Sequence, residues 1–195
     1  MRISIDGGIG AGKTTVFETL ARRFPEIGMF TEPVRQWEDL LALYYKDPAT
    51  WSLPLNIKVL LSFRESVGTH TCVVERSPMS CLHVFAKIAR DDGVMNAPQW
   101  DLFKEIHEVL GWKPDAVVFI DTPVAACLDR IEARGRACES EIDIQYVRRI
   151  EYQYAVMLKE CGVPVVRVNG AQSPAKVAAA VGDAVQTLLA NNCVA

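Results

Sequence analysis

The sequence predicts an α/β protein whose sheet is mostly parallel and covered by helices on both faces. Three observations carry that expectation. Short β-branched apolar runs alternate with longer segments at helical spacing along the whole chain. One run, Ala116 to Ile120, is apolar at every position, as a strand buried on two sides must be. Gly7-Gly8-Ile9-Gly10-Ala11-Gly12-Lys13-Thr14 fits G-x-x-x-x-G-K-[ST] between a strand and a helix, the setting in which that pattern holds phosphate. With 195 residues, half of them hydrophobic, and no repeat or linker, the chain is expected to form a single domain over 1–195.

The elements follow in order. Ile3-Ser4-Ile5 alternates as a short strand, and Thr15 to Arg23 reads as an amphipathic helix. Gly28 to Glu32 reads as a second strand ended by Pro33. A long helical region comes next, interrupted at Asp47-Pro48 and at Pro54. Thr71 to Val74 is a buried strand ending at Glu75, and a helix covers about Pro78 to Asp91 before Asp92-Gly93 breaks it. Gln99 to Gly111 carries Leu102, Phe103, Ile106, Val109 and Leu110 at helical spacing. After the strand at Ala116 a helix starts at Pro123 and runs to about Arg134, a polar segment reaches Asp143, and a long helix ends near Cys161. Val163 to Val168 is the last strand and Pro174 to Leu189 the last helix.

Composition excludes several classes. A formal charge of −3 leaves no electrostatic footprint for nucleic acid. The six cysteines are scattered, without a C-x-x-C pair or clustered histidines, which argues against a zinc site or disulfide framework and suits a reducing compartment. No apolar run nears the ~20 residues a membrane span needs. The first strand begins at residue 2, so no leader segment is expected and a cytoplasmic location is.

The phosphate loop fixes where chemistry sits. Glycines let successive N–H groups turn toward the phosphates of a nucleotide, Lys13 reaches the outer oxygens, and Thr14 offers a hydroxyl to Mg²⁺. Ligands of such sheets bind beyond the carboxyl ends of the strands. Those ends deliver Glu32, Glu75-Arg76-Ser77 and Asp121, so three carboxylates and an arginine are expected to converge on the loop. From position alone, Glu32 is a base for an attacking hydroxyl or a solvated strand-end carboxylate, and Glu75 and Arg76 either serve the site or pair with each other. Asp121 is a water-mediated metal ligand or, the favoured reading, the cap of the next helix. Arg130 and Arg134 share a helix face and Arg136 follows a Gly, which makes either a closing flap over phosphates or a solvated charged turn.

Taken together, these blocks resemble the deoxyribonucleoside kinases, the group of insect multisubstrate, mitochondrial thymidine and deoxycytidine/deoxyguanosine kinases. The resemblance rests on residues 7–15, on Thr31-Glu32-Pro33-Val34 with Trp37, and on Tyr45-Lys46-Asp47-Pro48 with Trp51 and Pro54. Glu75-Arg76-Ser77 and Arg134-x-Arg136-x-x-Glu139 before Tyr146 complete it, over residues 3 to about 155; the short length resembles a compact, viral type of member. It implies a three-layer P-loop kinase fold with a five-stranded parallel sheet and a short LID at about 134–143. It implies ATP as donor with Mg²⁺, a small deoxynucleoside as partner, no nucleic acid or membrane, and a homodimer. By the same resemblance Gly7, Gly8, Ile9, Gly10, Ala11, Gly12, Lys13, Thr14 and Thr15 hold the donor, and Thr14 and Glu75 the metal. Glu32 is the base, with Arg76, Lys13, Arg134 and Arg136 as the other catalytic groups. Tyr45 and Glu139 bind the sugar 3′-hydroxyl, Phe85 stacks on the base, and Trp37 walls the pocket.

Asn56, Val59 and Phe63 share one helix face, as do Cys81 and Phe85, either as core stripes or as the base pocket. In the family a glutamine stands at Asn56 and pairs with the base; asparagine is shorter by about 1.3 Å. Val59 and Cys81 match positions where deoxycytidine-selective members carry Arg and Asp, and being small they leave room for a thymine methyl. Thymidine first and deoxycytidine second are therefore the expected substrates. The alternatives are a thymidylate kinase, with Arg35 and Arg76 on an acceptor phosphate, and a nucleotide-dependent binding module without transfer chemistry.

Overall fold

The computed structural model describes residues 1–66, 71–136, 139 and 142–192. Of the segment read as a LID, residues 137, 138, 140 and 141 lie outside the described residues. Among the described residues the elements run β1 (Arg2–Asp6), α1 (Lys13–Arg23), β2 (Gly28–Phe30), a 3₁₀ turn (Val34–Gln36), α2 (Glu38–Lys46) and α3 (Pro48–Ser62). A second 3₁₀ turn (Phe63–Ser66) precedes β3 (Cys72–Glu75). Then come α4 (Pro78–Ser80), a π-helical segment (Cys81–Ala86), α5 (Lys87–Asp91), α6 (Ala97–Leu110), β4 (Ala116–Asp121), α7 (Val124–Arg134), α8 (Ile144–Glu160), β5 (Val165–Asn169) and α9 (Pro174–Asn192).

The five strands form one parallel sheet in the order β2-β3-β1-β4-β5. The alternation of β4 shows why it had to be apolar throughout. Ala116, Val118 and Ile120 pack with Ile3, Ile5 and Val73 against Val16 and Leu20 of α1 and Val181 and Val185 of α9. Val117 and Phe119 pack on the opposite face against Val84, Ile150, Tyr154 and Met157. Each such aliphatic side chain contributes about 1.5–3 kcal/mol on burial. A third cluster, with Leu60, Phe63, Cys81 and Phe103, joins α3 and α6 to the π segment. No helix among the described residues is long and apolar enough to cross a membrane.

Three expectations need correction. α3 runs through Pro54 without a break. Pro54 lies on the exposed side of α3, where the loss of one helical hydrogen bond is best tolerated. β2 ends at Phe30 rather than Glu32, because its partner register stops at Phe30–Val74 and Pro33 offers no donor to extend it. The expected continuous helix from Pro78 widens to π geometry at Cys81–Ala86 before narrowing again. Such widened turns insert a residue and cluster at functional sites.

Candidate active site

The central strand delivers the phosphate loop, and left-handed glycines make it possible. Gly10 (φ 78°) and Gly12 (φ 96°) occupy backbone space that L side chains rarely adopt. A Cβ on Gly10 would also stand 2.4 Å from the Cys127 carbonyl oxygen, so α7 packs directly on the loop. α1 starts at Lys13 immediately after Gly12, aiming its positive end at the loop. Lys13 donates to the carbonyls of Gly7 and Gly8, at 3.1 and 2.9 Å. Burial, assisted by the nearby Arg76 cation, lowers its pKa to about 8.

A cavity of about 930 Å³ opens over this loop and extends to the α2–α3 side of the molecule. It brings together most residues proposed from the sequence. Ile9, Gly10, Ala11, Gly12, Lys13, Thr14 and Thr15 line one end. Glu32, Glu75 and Arg76 stand at its middle, with Arg134, Arg136 and Glu139 above. Trp37, Tyr45, Asn56, Val59, Phe63, Cys81 and Phe85 line the rest. Gly7 and Gly8 do not line it; their carbonyls accept from Lys13.

Glu32 and Arg76 form a buried ion pair, their side chains 13% and 10% exposed. Arg76 takes a left-handed backbone (φ 63°), costly for a residue with a Cβ. Its N–H bonds to the Ile5 carbonyl at 3.0 Å, and its guanidinium lies 4.8 Å from the Phe85 ring centroid. Burial works against the Arg76 cation more than any single neighbour favours it, yet Glu32, Tyr154 and Glu75 together hold its pKa above the ordinary value. Glu75 accepts from the Thr14 hydroxyl and from the Glu32 backbone N–H, each at 3.3 Å. A hydroxyl and a carboxylate in contact beside a phosphate loop are the hard oxygen donors that Mg²⁺ takes, along with water and substrate phosphates, so these residues fit the metal.

Glu139 is buried and clamped. Arg134 reaches one carboxylate oxygen through Nε (3.1 Å) and Nη2, while Arg136 reaches the other at 3.3 Å. Asn56 turns its amide back on its own helix, Nδ2 donating to the Ser52 carbonyl at 2.8 Å, with Oδ1 4.0 Å from the Cys81 sulfur. Burial pushes the Cys81 thiol up to about 12.

Asp121 is neither cap nor cavity residue. The capping position is taken by Pro123 with no side-chain bond, and the exposed Asp121 carboxylate faces Arg167 at 3.3 Å. Of the three carboxylates expected from the strand ends, Glu32 and Glu75 line the cavity and Asp121 does not. Arg130, expected in either a flap or a solvated turn, is instead a brace: it donates to the carbonyls of Gly10, Ala11 and Gly170 at 3.0–3.4 Å. Sequence reasoning missed Tyr44, Leu41 and Gln36 at the apolar end and Gln172, Pro174 and Val177 at the loop end, all lining the cavity. No motif marks them. It also missed Asp6, although an Asp closing an apolar strand is a legible signal.

The deoxynucleoside kinase family model matches residues 3–189. A protein of Invertebrate iridescent virus 3 designated 029R is 28% identical over 196 residues, covering 98% of this chain and 97% of that protein. Thymidine kinase of Ictalurid herpesvirus 1 (strain Auburn) is 28% identical over 181 residues, covering 87% of this chain and 78% of its own. Deoxycytidine kinase 2 of Gallus gallus is 26% identical over 196 residues, covering 82% of this chain and 74% of its own. With the family match spanning nearly all of its length, the chain belongs to the deoxynucleoside kinase family.

Proposed function

We propose that the protein transfers the γ-phosphoryl of ATP to the 5′-hydroxyl of a deoxyribonucleoside, thymidine and deoxycytidine ahead of the purines. The observation that carries the reading is the placement of the Glu32–Arg76 pair between the phosphate loop and the apolar end of the cavity. A nucleoside whose base lies against Trp37, Phe63 and Phe85 presents its 5′ end to that pair. Glu32 takes the hydroxyl proton as the oxygen forms its bond to the γ-phosphorus and the bond to the β-phosphate bridge breaks, releasing ADP. Arg76 holds the Glu32 carboxylate in place and offsets charge at the nucleophile. Lys13 and the loop N–H groups hold the donor phosphates, and Thr14 with Glu75 holds the metal. Bound Mg²⁺ supplies charge neutralisation on the transferring group. As the site fills, Arg134 and Arg136 exchange Glu139 for phosphate oxygens, which frees Glu139 for the sugar 3′-hydroxyl beside Tyr45.

Base preference follows from size and polarity. Val59 and Cys81 present no charge to the base, and the Asn56 amide is engaged with its own helix, so the pocket selects by shape more than by paired hydrogen bonds. A pyrimidine with a 5-methyl group fits that description. The test is a Mg²⁺-ATP assay across thymidine, deoxycytidine, deoxyadenosine, deoxyguanosine and thymidine monophosphate. Thymidine and deoxycytidine turned over ahead of the purines support the reading. Equal purine turnover refutes the base assignment, and product from the monophosphate alone refutes the nucleoside as acceptor.

A further inference from the structure

Resting on this reading of Glu32 and Arg76, we infer that Asp6 and Tyr154 are positioning residues that set the Arg76 guanidinium, and through it the Glu32 carboxylate. β1 alternates Ile3, Ser4, Ile5, Asp6, and the sheet is covered on both sides, so Ser4 and Asp6 are buried as completely as the isoleucines. A fully buried carboxylate is costly unless donors surround it. Asp6 accepts from Ser4 Oγ and from Tyr154 Oη, the latter at 3.1 Å, and Ser80 adds a further hydroxyl. Packing alone would have been served by another aliphatic residue at this position.

Tyr154 connects that carboxylate to the ion pair. It is wholly buried on α8, its ring against Phe119 (5.2 Å) and edge-on to Phe85 (6.4 Å). Its hydroxyl donates to Asp6 and also interacts with the Arg76 guanidinium. Among the described residues the guanidinium is otherwise held by Glu32 in front, the Phe85 face beside it and the charge of Glu75, and its Nε is buried without a hydrogen-bond partner. It also hangs from a left-handed backbone. A planar cation with so few anchors keeps one orientation only while each anchor is present. Asp6, Tyr154, Arg76 and Glu32 therefore form one line from the central strand to the base, and neither Asp6 nor Tyr154 lines the cavity.

The decisive variant is Tyr154→Phe, which removes one hydroxyl and keeps the ring packing. In thymidine phosphorylation its kcat is expected to fall about tenfold or more while KM for thymidine and ATP moves less than about threefold, the split expected when transition-state alignment is lost. On the residual rate of Arg76→Lys, adding Tyr154→Phe is expected to have no further effect, because its action passes through the guanidinium. An unchanged kcat, or a full second loss in the Arg76→Lys background, overturns the inference. Asp6→Asn, if it folds, is expected to follow Tyr154→Phe in the same split, and a wild-type kcat there overturns the role of Asp6. A readout independent of turnover separates this from failure of the proposed reaction. The Arg76 Nε–H resonance, assigned by its loss in Arg76→Lys, is expected to be sharp and slow to exchange in the wild type and averaged in Tyr154→Phe. An unchanged resonance overturns the positioning role even if no nucleoside is phosphorylated.

Discussion

Replacing Glu32 by glutamine tests the site on two axes at once. The pair it forms with Arg76 is nearly closed to solvent, with side chains 13% and 10% exposed, and Glu32 is the only carboxylate ion-paired with Arg76 among the described residues. Removing one partner of a buried pair costs about 3–5 kcal/mol. Glu75 also attracts the Arg76 cation, and the cavity admits water, so the low end applies here. About 3 kcal/mol in a chain of this size corresponds to a fall in Tm of roughly 6–12 °C. The double variant Glu32→Gln/Arg76→Gln, which leaves no unpaired charge, is expected to recover most of that loss. Catalysis should fall further than stability: a positioned base contributes about 10²–10⁴ in rate. Thermal unfolding and single-turnover phosphoryl transfer measure the two quantities. The reasoning fails if turnover stays within a few-fold of wild type, if Tm does not move, or if the double variant is less stable than the single one.

Other outcomes can be stated briefly. Arg134→Ala, which removes a guanidinium bonded to Glu139, is expected to lower kcat about 100-fold or more with ATP affinity changed only a few-fold; rapid-quench kinetics beside equilibrium ATP binding checks this. Gly10→Ala places a Cβ against the Cys127 carbonyl at a left-handed position and is expected to weaken ATP binding at least about tenfold. Gly8→Ala meets only the Cys127 sulfur at 4.0 Å and should keep the wild-type Tm. The raised Cys81 pKa, about 12, keeps the group a thiol at pH 8, where thiolate is scarce. Mass spectrometry after iodoacetamide treatment should find Cys81 unmodified in the native protein and alkylated after denaturation.

The fold was legible because its signals are local. Apolar runs, the glycine-rich turn and the prolines at helix starts each act within a few residues, and the expected bounds of the five strands among the described residues lie within two residues of the observed ones. Errors arose where burial decides. Pro54 was read as a break because a sequence does not show which side of a helix faces water. Asp121 was read as a cap because its neighbours are capping residues, yet Arg167 on the adjacent strand holds it. The cavity residues carried by motifs were legible, whereas Asp6 and Tyr154, 148 positions apart, gain meaning only when α8 packs on β1. Arg130 shows the same limit: its helix face was right, but its three carbonyl partners come from two distant loops.

The position of β1 has a consequence for how the molecule comes into being. This strand precedes the other four in the chain but lies third in the sheet, bonded to β3 and β4, whose paired residues come 70 and 113 positions later. Pairing between such distant segments closes long loops, and parallel sheets of this kind assemble slowly. During synthesis the phosphate loop has therefore left the ribosome long before Thr122 and Arg130 can brace it. ATP binding by nascent fragments should begin only once α7 is free to dock, which makes the loop a late reporter of folding although it precedes α7 by more than 100 residues.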